Sequence, residues 1–178
     1  MTFMVAMGFS VVAMIRVGEM FGKRDIINLK RIAYSLFLII LLFDMFFCLI
    51  FLLFNEYLPW MYLSKTDDKS MTDVFHVIQI SSKLILISGV FQIFDGLQSV
   101  ILGALRGIQD VLIPTVLIFI AYMLVGFPVS YYLGFSTHLG VVGIWIGLLV
   151  GLVSSSIFLF LRFSYDLNLM YKKSNLYL

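Results

Sequence analysis

Residues 84–105 read LILISGVFQIFDGLQSVILGAL, an apolar run with one carboxylate, Asp95, at its centre. An α-helix needs about 20 apolar residues to cross the hydrocarbon core of a bilayer, so this run predicts a transmembrane helix. At 1.5 Å per residue, Asp95 would lie roughly 15 Å from either end, too deep for a short side chain to reach the headgroups. We therefore expect its carboxylate to face protein or a water-filled cavity.

The chain as a whole has the composition of a membrane protein. Its 178 residues are 62% hydrophobic and 12% charged, and the mean hydropathy is +1.07. Soluble domains contain roughly 45–50% apolar and about 25% charged residues. Because a soluble globule could not bury this much apolar surface, lipid is the expected solvent. The composition excludes a soluble enzyme, a disordered tail and a disulfide-stapled secreted domain.

Five apolar runs are predicted to be the helices of a single membrane region covering residues 1–178. They span residues 1–15, 32–54, 74–105, 111–135 and 139–161. The expected fold class is all-α, a polytopic bundle of about five transmembrane helices. Since the first run ends at Arg16, it is too short to cross a bilayer. We expect that helix to be cut off, as in a piece of a longer protein or the product of a truncated gene.

Basic residues are divided unevenly between the two sides of such a bundle. Two, Lys65 and Lys69, fall in the second connection, and none falls in the fourth. The other side carries all of the following: Arg16, Lys23, Arg24, Lys30, Arg31, Arg106, Arg162, Lys172 and Lys173. Cytoplasmic segments carry the excess of Lys and Arg. We therefore expect the N-terminus outside the cell and the C-terminus in the cytoplasm.

Polar side chains accompany Asp95 along its helix. The stripe comprises Ser88, Gln92, Asp95 and Ser99, at i, i+4, i+7 and i+11, with Gln98 beside it. This spacing puts them on one helix face, as in a helix that lines a path or cavity. A central Asp on such a face is typical of an ion or proton site. The alternative is a protonated structural carboxyl that is hydrogen-bonded to a neighbour.

Two further ionisable residues interrupt the apolar runs. Lys83 lies near one end of its helix, where its long stem reaches the headgroups. Asp44 lies near the middle of the second run, and no polar stripe accompanies it. A buried partner such as a hydroxyl or a Lys would make Asp44 structural. The sequence leaves open whether this intramembrane acid is structural or functional.

Small residues predict where helices pack closely. In the last helix Gly143, Gly147 and Gly151 recur every four residues, followed by Ser155. Such a ridge lets a second helix approach backbone to backbone. Gly89, Gly96 and Gly103 recur every seven residues in the Asp95 helix and predict a second close approach.

The fourth helix is predicted to be irregular. Pro128 lies inside it, which frees the carbonyl of Leu124 and kinks the helix, and Gly126 adds a hinge. Asp110, just before this helix, is a candidate N-cap.

The sequence offers no other chemistry that we can identify. His76 and His138 are isolated, so no zinc site is expected, and the single cysteine, Cys48, lies in an apolar run. No nucleophile–base pair or nucleic-acid-binding pattern is visible. We expect no enzymatic activity, and no metal beyond a Na⁺ ion at Asp95.

Three stretches together resemble the multidrug and toxic compound extrusion (MATE) family, in its bacterial NorM-like branch. They are residues 14–22 (MIRVGEMFG), residues 94–107 (FDGLQSVILGALRG, followed by Gln109, Asp110 and Pro114), and residues 122–132 with 140–151 (YMLVGFPVSYY and GVVGIWIGLLVG). The order and spacing of these elements also match, over nearly the whole chain.

The resemblance implies a position in a larger fold. MATE proteins have twelve helices in two lobes of six, and these five would be the eighth to the twelfth. Asp95 matches the tenth-helix Asp of the family's cation site, which the family pairs with an acid on the seventh helix. Phe91 stands where some members have a tyrosine, so a cation–π face replaces the phenol. The expected cavity lining is Ser88, Phe91, Gln92, Gln98 and Ser99.

The resemblance also implies a function. The family exports drugs and organic cations across the bacterial inner membrane in exchange for Na⁺ or H⁺, without a cofactor. We expect this chain to act within the lipid bilayer together with the missing N-terminal lobe, in cis or in trans. The alternatives are a non-transporting remnant or a partner-dependent membrane subunit. A flippase for lipid-linked oligosaccharides, from the same superfamily, is disfavoured because the polar stripe contains no Arg.

Overall fold

The computed structural model describes residues 2–54 and 71–176, which form five long helices. They are α1 (Thr2–Gly22), α2 (Ile26–Phe54), α3 (Met71–Gly107), α4 (Leu112–Phe135) and α5 (Val141–Leu176). Each contains a stretch long and apolar enough to cross a membrane. The predicted fold class, an all-α polytopic bundle, is confirmed. Lys65 and Lys69, and the side chains of His76 and Lys83, lie outside what the structure describes.

Several predicted helix ends were wrong. The first helix does not stop at Ile15 but continues to Gly22, so its apolar stretch Phe3–Gly22 has 20 residues and is not short. Glu19 pairs on this last part with Arg16 at 3.4 Å and with Lys23 at 2.7 Å. These pairs, three and four residues apart, stabilise a helix in water. The prediction ended the helix at its first charged residue, although Val17, Met20 and Phe21 beyond it still pack in the core.

The same reason explains two other differences. α2 begins at Ile26, whereas the prediction began at residue 32. The apolar run starts only after the exposed residues Lys30 and Arg31, which belong to the first turns of the helix. α5 continues past residue 161 to Leu176, with polar residues along its last turns.

The ends of α1 and α3 share one geometry. Arg24 (φ 58°) and Gln109 (φ 67°) both adopt the left-handed conformation just past the helix. The next residue, Asp25 or Asp110, donates its N–H to a carbonyl five residues back, at 3.1 and 3.0 Å. This arrangement satisfies the last carbonyls of a helix and usually has glycine at the left-handed position.

Asp25 also begins α2. Its carboxylate accepts a hydrogen bond from the backbone N–H of Asn28 at 3.1 Å and another from the Asn28 side chain at 2.6 Å. These bonds favour the ionised form and hold the pKa of Asp25 below its usual value.

The prediction that Asp110 caps α4 was wrong. The residue before α4 is Val111, which makes no side-chain cap. Asp110 Oδ2 instead accepts a hydrogen bond from Arg162 Nε on α5 at 2.8 Å, and Arg162 Nη2 lies 3.1 Å from Asp166 Oδ1. The arginine that attracts Asp110 away from the helix end comes from a distant part of the chain, which local sequence rules cannot detect.

α3 is the centre of the bundle, because it packs against α1, α2 and α5. α5 in turn packs against α4. The buried core is apolar and includes Val17, Ile40, Ile101, Leu105 and Phe163. The outer surface also carries many large apolar side chains, among them Leu38, Phe46, Leu124 and Phe135. An outer surface with this many apolar side chains is expected for a protein in contact with lipid.

Candidate cation site

A small cavity lies where α1, α2 and α3 meet. Its volume is about 140 Å³. From α3 it is lined by four polar or aromatic side chains and a glycine, from α2 by one carboxylate and from α1 by two apolar residues: Ser88, Phe91, Gln92, Asp95, Gly96, Asp44, Phe3 and Ala6. The cavity therefore brings Asp44 and Asp95 together, a connection that no sequence pattern indicated.

Asp44 is completely buried, with 0% of its surface exposed. Gln92 Nε2 donates a long hydrogen bond of 3.5 Å to its Oδ1 atom. Its Oδ2 atom has no hydrogen-bond partner among the residues that the structure describes. A carboxylate buried in this way needs a proton or a positive charge, because an uncompensated charge is very costly in a low-dielectric interior.

Gly96 makes room for the Asp44 carboxylate. A Cβ atom at Gly96 would collide with Asp44 Oδ2 and lie 2.9 Å from Asp44 Cγ. The carboxylate therefore rests directly on the backbone of α3. Of the other two glycines in this seven-residue series, Gly89 faces Cys48 of α2 and Gly103 faces Ser10 of α1. The series thus marks where α3 meets its two neighbours.

Asp95 is only partly buried and lies one turn from Gln92 on the same helix. No hydrogen bond joins its carboxylate to another described residue. It opens to the same cavity as Asp44. The sequence prediction that Asp95 faces protein or a cavity agrees with this position.

The predicted polar stripe divides into two parts. Ser88 and Gln92, with Phe91 beside them, line the cavity around Asp95. Gln98 and Ser99 do not. Gln98 Oε1 accepts a hydrogen bond from the Tyr122 hydroxyl of α4 at 3.5 Å, and the carbonyl of Ser99 accepts one from Ser10 Oγ at 2.7 Å. The Gln98 side chain and the Ser99 backbone thus connect α3 to α4 and α1.

Phe91 connects the cavity to α5. Its ring meets the ring of Trp145 edge to face, with centroids 6.3 Å apart. An indole in contact with a cavity-lining side chain can report on what binds there.

The glycine ridge of α5 lies against α4. A Cβ atom at Gly143 would collide with the Leu133 carbonyl, and one at Gly147 would collide with the backbone of Ser130. At Gly151 a Cβ atom would lie 2.9 Å from the Cα of Gly126. Ser130 Oγ also donates a hydrogen bond to the Ile144 carbonyl at 3.1 Å. Gly126 is thus a packing contact in addition to its predicted role as a hinge.

The predicted irregularity of α4 takes the form of a π-helical stretch. It covers Ala121–Gly126 and ends two residues before Pro128. A π-helical stretch and a proline are both recognised causes of helix bending.

Comparison with known proteins identifies the family. A sequence model of the MatE family matches residues 1–132. The chain belongs to the MATE family. The resemblance carried by the three sequence stretches is thereby confirmed.

Named MATE relatives are bacterial multidrug resistance proteins. The probable multidrug resistance protein NorM of Rhizobium meliloti is 35% identical over 161 residues, which are 90% of this chain and 34% of that protein. The multidrug resistance protein NorM of Photobacterium profundum is 30% identical over 166 residues, 91% of this chain and 34% of that protein. The chain therefore spans about one third of the length of these curated relatives.

A solved MATE structure has the same fold. It is described as the inward-facing conformation of a multidrug resistance MATE family transporter of the MOP superfamily. The TM-score is 0.81 over 97% of this chain and 39% of that chain, at 16% sequence identity. The five helices are thus arranged as in a MATE transporter, and this MATE chain is a multi-pass membrane protein.

Proposed function

We propose that this chain is the C-terminal part of a cation-coupled efflux transporter that exchanges drugs or organic cations for Na⁺ or H⁺. Membership of the MATE family supports the class of activity. The observation that carries the proposal is the cavity between α1, α2 and α3, into which Asp95 opens beside a second carboxylate. Oxygen ligands in a space of about 140 Å³ suit a small hard cation.

In this proposal Asp95 holds the coupling ion. Binding of Na⁺ or H⁺ compensates its charge, and a cationic drug can compensate the same charge when the ion leaves. If both compete for Asp95, their movements in opposite directions are coupled. Direction requires that the site opens alternately to the two sides of the membrane, with different affinities in the two states. Ser88, Phe91 and Gln92 would surround the ion or contact the substrate.

The proposal includes a second lobe, supplied in cis or in trans. The chain spans about one third of the relatives' length, and alternating access requires two bodies that move against each other. The proposed location is the bacterial inner membrane, with the N-terminus outside and the C-terminus in the cytoplasm. The excess of Lys and Arg on one side supports this orientation.

The first experiment measures the natural product. An antibody against residues 171–178 is used to blot membranes from the source cells. A band about two and a half to three times the 20.4 kDa of this chain, as the covered share of the relatives leads us to expect, supports a two-lobed transporter. A band near 20.4 kDa that has no partner in pull-down would support the non-transporting remnant instead.

The second experiment tests Asp95 in that natural product. Asp95→Asn keeps the shape of the side chain but removes its charge, so we expect drug export from a drug-sensitive host to be lost. Asp166→Asn, which changes a buried carboxylate outside the cavity, is the matched control and should retain export. Both variants must reach the membrane at the level of the unmodified protein. Full export by Asp95→Asn would refute the assignment of the cation site.

A further inference from the structure

The Asp44 carboxylate has no structural explanation within the described part of the chain. It is fully buried, its single hydrogen-bond donor is the neutral amide of Gln92, and Oδ2 is unpartnered. None of the described residues that line the cavity carries a positive charge. The titratable group that faces it from α3 is Asp95, and α1 contributes Phe3 and Ala6.

Asp166 gives a useful comparison. It is also buried with an unpartnered Oδ2 atom, but Arg162 lies 3.1 Å from its other oxygen and supplies the missing charge. Asp44 has no such arginine or lysine within the described residues. Whatever compensates Asp44 must therefore come from outside this part of the chain.

The nearby carboxylate of Asp95 increases the need for a compensating positive charge at Asp44. Two like charges that share one cavity repel each other strongly when water is mostly excluded. A cation between them removes both problems, because it compensates the buried Asp44 and the repulsion from Asp95. Asp44 lines the cavity with an Oδ2 atom that has no hydrogen-bond partner among the described residues, and Gly96 leaves the space that this carboxylate needs.

We infer that Asp44 is a second carboxylate of the cation site, so that one monovalent cation is held jointly by Asp44 of α2 and Asp95 of α3. The inference rests on the proposed function, in which Asp95 binds the coupling ion. Gln92 orients Asp44 through its hydrogen bond. The ligands are carboxylate oxygens, which suit Na⁺ or H⁺, and no thiolate or imidazole lines the described cavity.

Tryptophan fluorescence gives a direct test. The chain has two tryptophans, and Trp60→Phe leaves Trp145, which contacts the cavity through Phe91. In this background, emission is recorded against NaCl at constant ionic strength, and against pH without Na⁺. We expect Asp44→Asn and Asp95→Asn each to weaken the response, by roughly tenfold or more in Na⁺ affinity or by about one pH unit in midpoint, since each removes a charge that holds the ion. Asp166→Asn should change neither.

The outcomes separate this inference from the proposed function. If Asp95→Asn weakens the response and Asp44→Asn leaves it unchanged, Asp95 binds the ion alone and the inference is wrong. If the Trp60→Phe protein, which keeps both aspartates, responds neither to Na⁺ nor to pH, the proposed cation site itself is wrong. Melting temperatures of all variants in detergent establish that the compared proteins are folded.

A second measurement needs no substitution. A hydrophobic carbodiimide reacts with carboxyl groups in membrane interiors, and mass spectrometry measures the labelling of each Asp. A shared Na⁺ should protect Asp44 and Asp95 from labelling over one range of Na⁺ concentration. A shared proton should instead raise the labelling of both over one range of pH, because the carbodiimide reacts with the protonated acid. Asp166 should follow neither curve. A response of Asp95 labelling alone, to Na⁺ or to pH, would overturn the inference even if Asp44→Asn failed to fold.

Discussion

Single charged side chains connect distant parts of this bundle. Arg162 lies between Asp110, just before α4, and Asp166, on its own helix, and its side chain is 23% exposed. The pair that Arg16 forms with Glu19 is of the same type but its arginine is 61% exposed. Their different burial gives the two arginines different weight in stability.

Arg162→Met should therefore destabilise the protein. It leaves two partly buried carboxylates without compensation, at a cost of about 2–4 kcal/mol. Arg16→Met, the control, should change the free energy of unfolding by less than about 1 kcal/mol because its pair is exposed. Chemical denaturation in detergent measures both. Equal effects of the two substitutions would mean that the Arg162 cluster contributes no more than a surface pair.

Gln109 gives a prediction of opposite sign. Its φ of 67° is costly for a residue with a Cβ atom, by about 1–2 kcal/mol. We expect Gln109→Gly to stabilise the protein by about 0.5–1 kcal/mol once the greater freedom of glycine in the unfolded chain is included. Gln109→Ala keeps a Cβ atom and should give no gain. A lower melting temperature for the glycine variant would contradict the proposed strain.

The positions of individual residues explain which site features the sequence could reveal. The central position of Asp95 and its polar neighbours follow from helix periodicity alone. Asp44 does not, because its partner Gln92 is 48 positions away and its own helix neighbours are apolar. Gln98 and Ser99 share the face of Asp95 in a helix projection, but the Gln98 side chain bonds to α4 and the Ser99 backbone carbonyl bonds to α1.

Pairs of helices depend on glycine where their backbones touch. α4 and α5 meet along Gly126, Gly143, Gly147 and Gly151. Gly8 of α1, by contrast, has nothing within 4 Å of the position of a Cβ atom. The two kinds of glycine should respond oppositely to the same substitution.

Gly147→Ala should lower stability by about 1–3 kcal/mol, because the new methyl group collides with the backbone of Ser130 and the helices must separate. Gly147→Leu should further reduce the yield of folded protein. Gly8→Ala, in open space, should stabilise α1 by up to about 1 kcal/mol. Melting curves in detergent measure both effects, and identical shifts for the two alanine variants would show that the ridge is not a tight contact.

The number and order of the helices could be predicted, whereas their ends could not. Apolar runs are long and well separated, so hydropathy finds all five. The ends of α1, α2 and α5 carry charged residues that interrupt the apolar runs. In α1 the exposed ion pairs of Glu19 alternate with Val17, Met20 and Phe21, which pack in the core, so the helix continues past its first charge. The cap predicted at Asp110 failed for a similar reason, since its partner is on α5.

The whole molecule has a definite proposed orientation, and it can be tested with cysteine labelling. Cys48→Ser removes the one native cysteine, and single cysteines are then introduced at Arg24 and Ser136, which are exposed at opposite ends of the bundle. In intact cells a membrane-impermeant maleimide should label Ser136→Cys directly, but Arg24→Cys only after permeabilisation. The reverse pattern would place the C-terminus outside and contradict the proposed topology.

The contact between Gly96 and the Asp44 carboxylate predicts which missense mutations are tolerated. Every single-nucleotide missense change in a glycine codon introduces a residue with a Cβ atom, and any Cβ atom at Gly96 collides with Asp44. In a saturation mutagenesis library selected for drug survival, position 96 should therefore be depleted as strongly as the two aspartates, although its residue carries no functional group. If the proposed cation site is correct, the set of positions at which a substitution inactivates the transporter is larger than the set of residues that touch its ion.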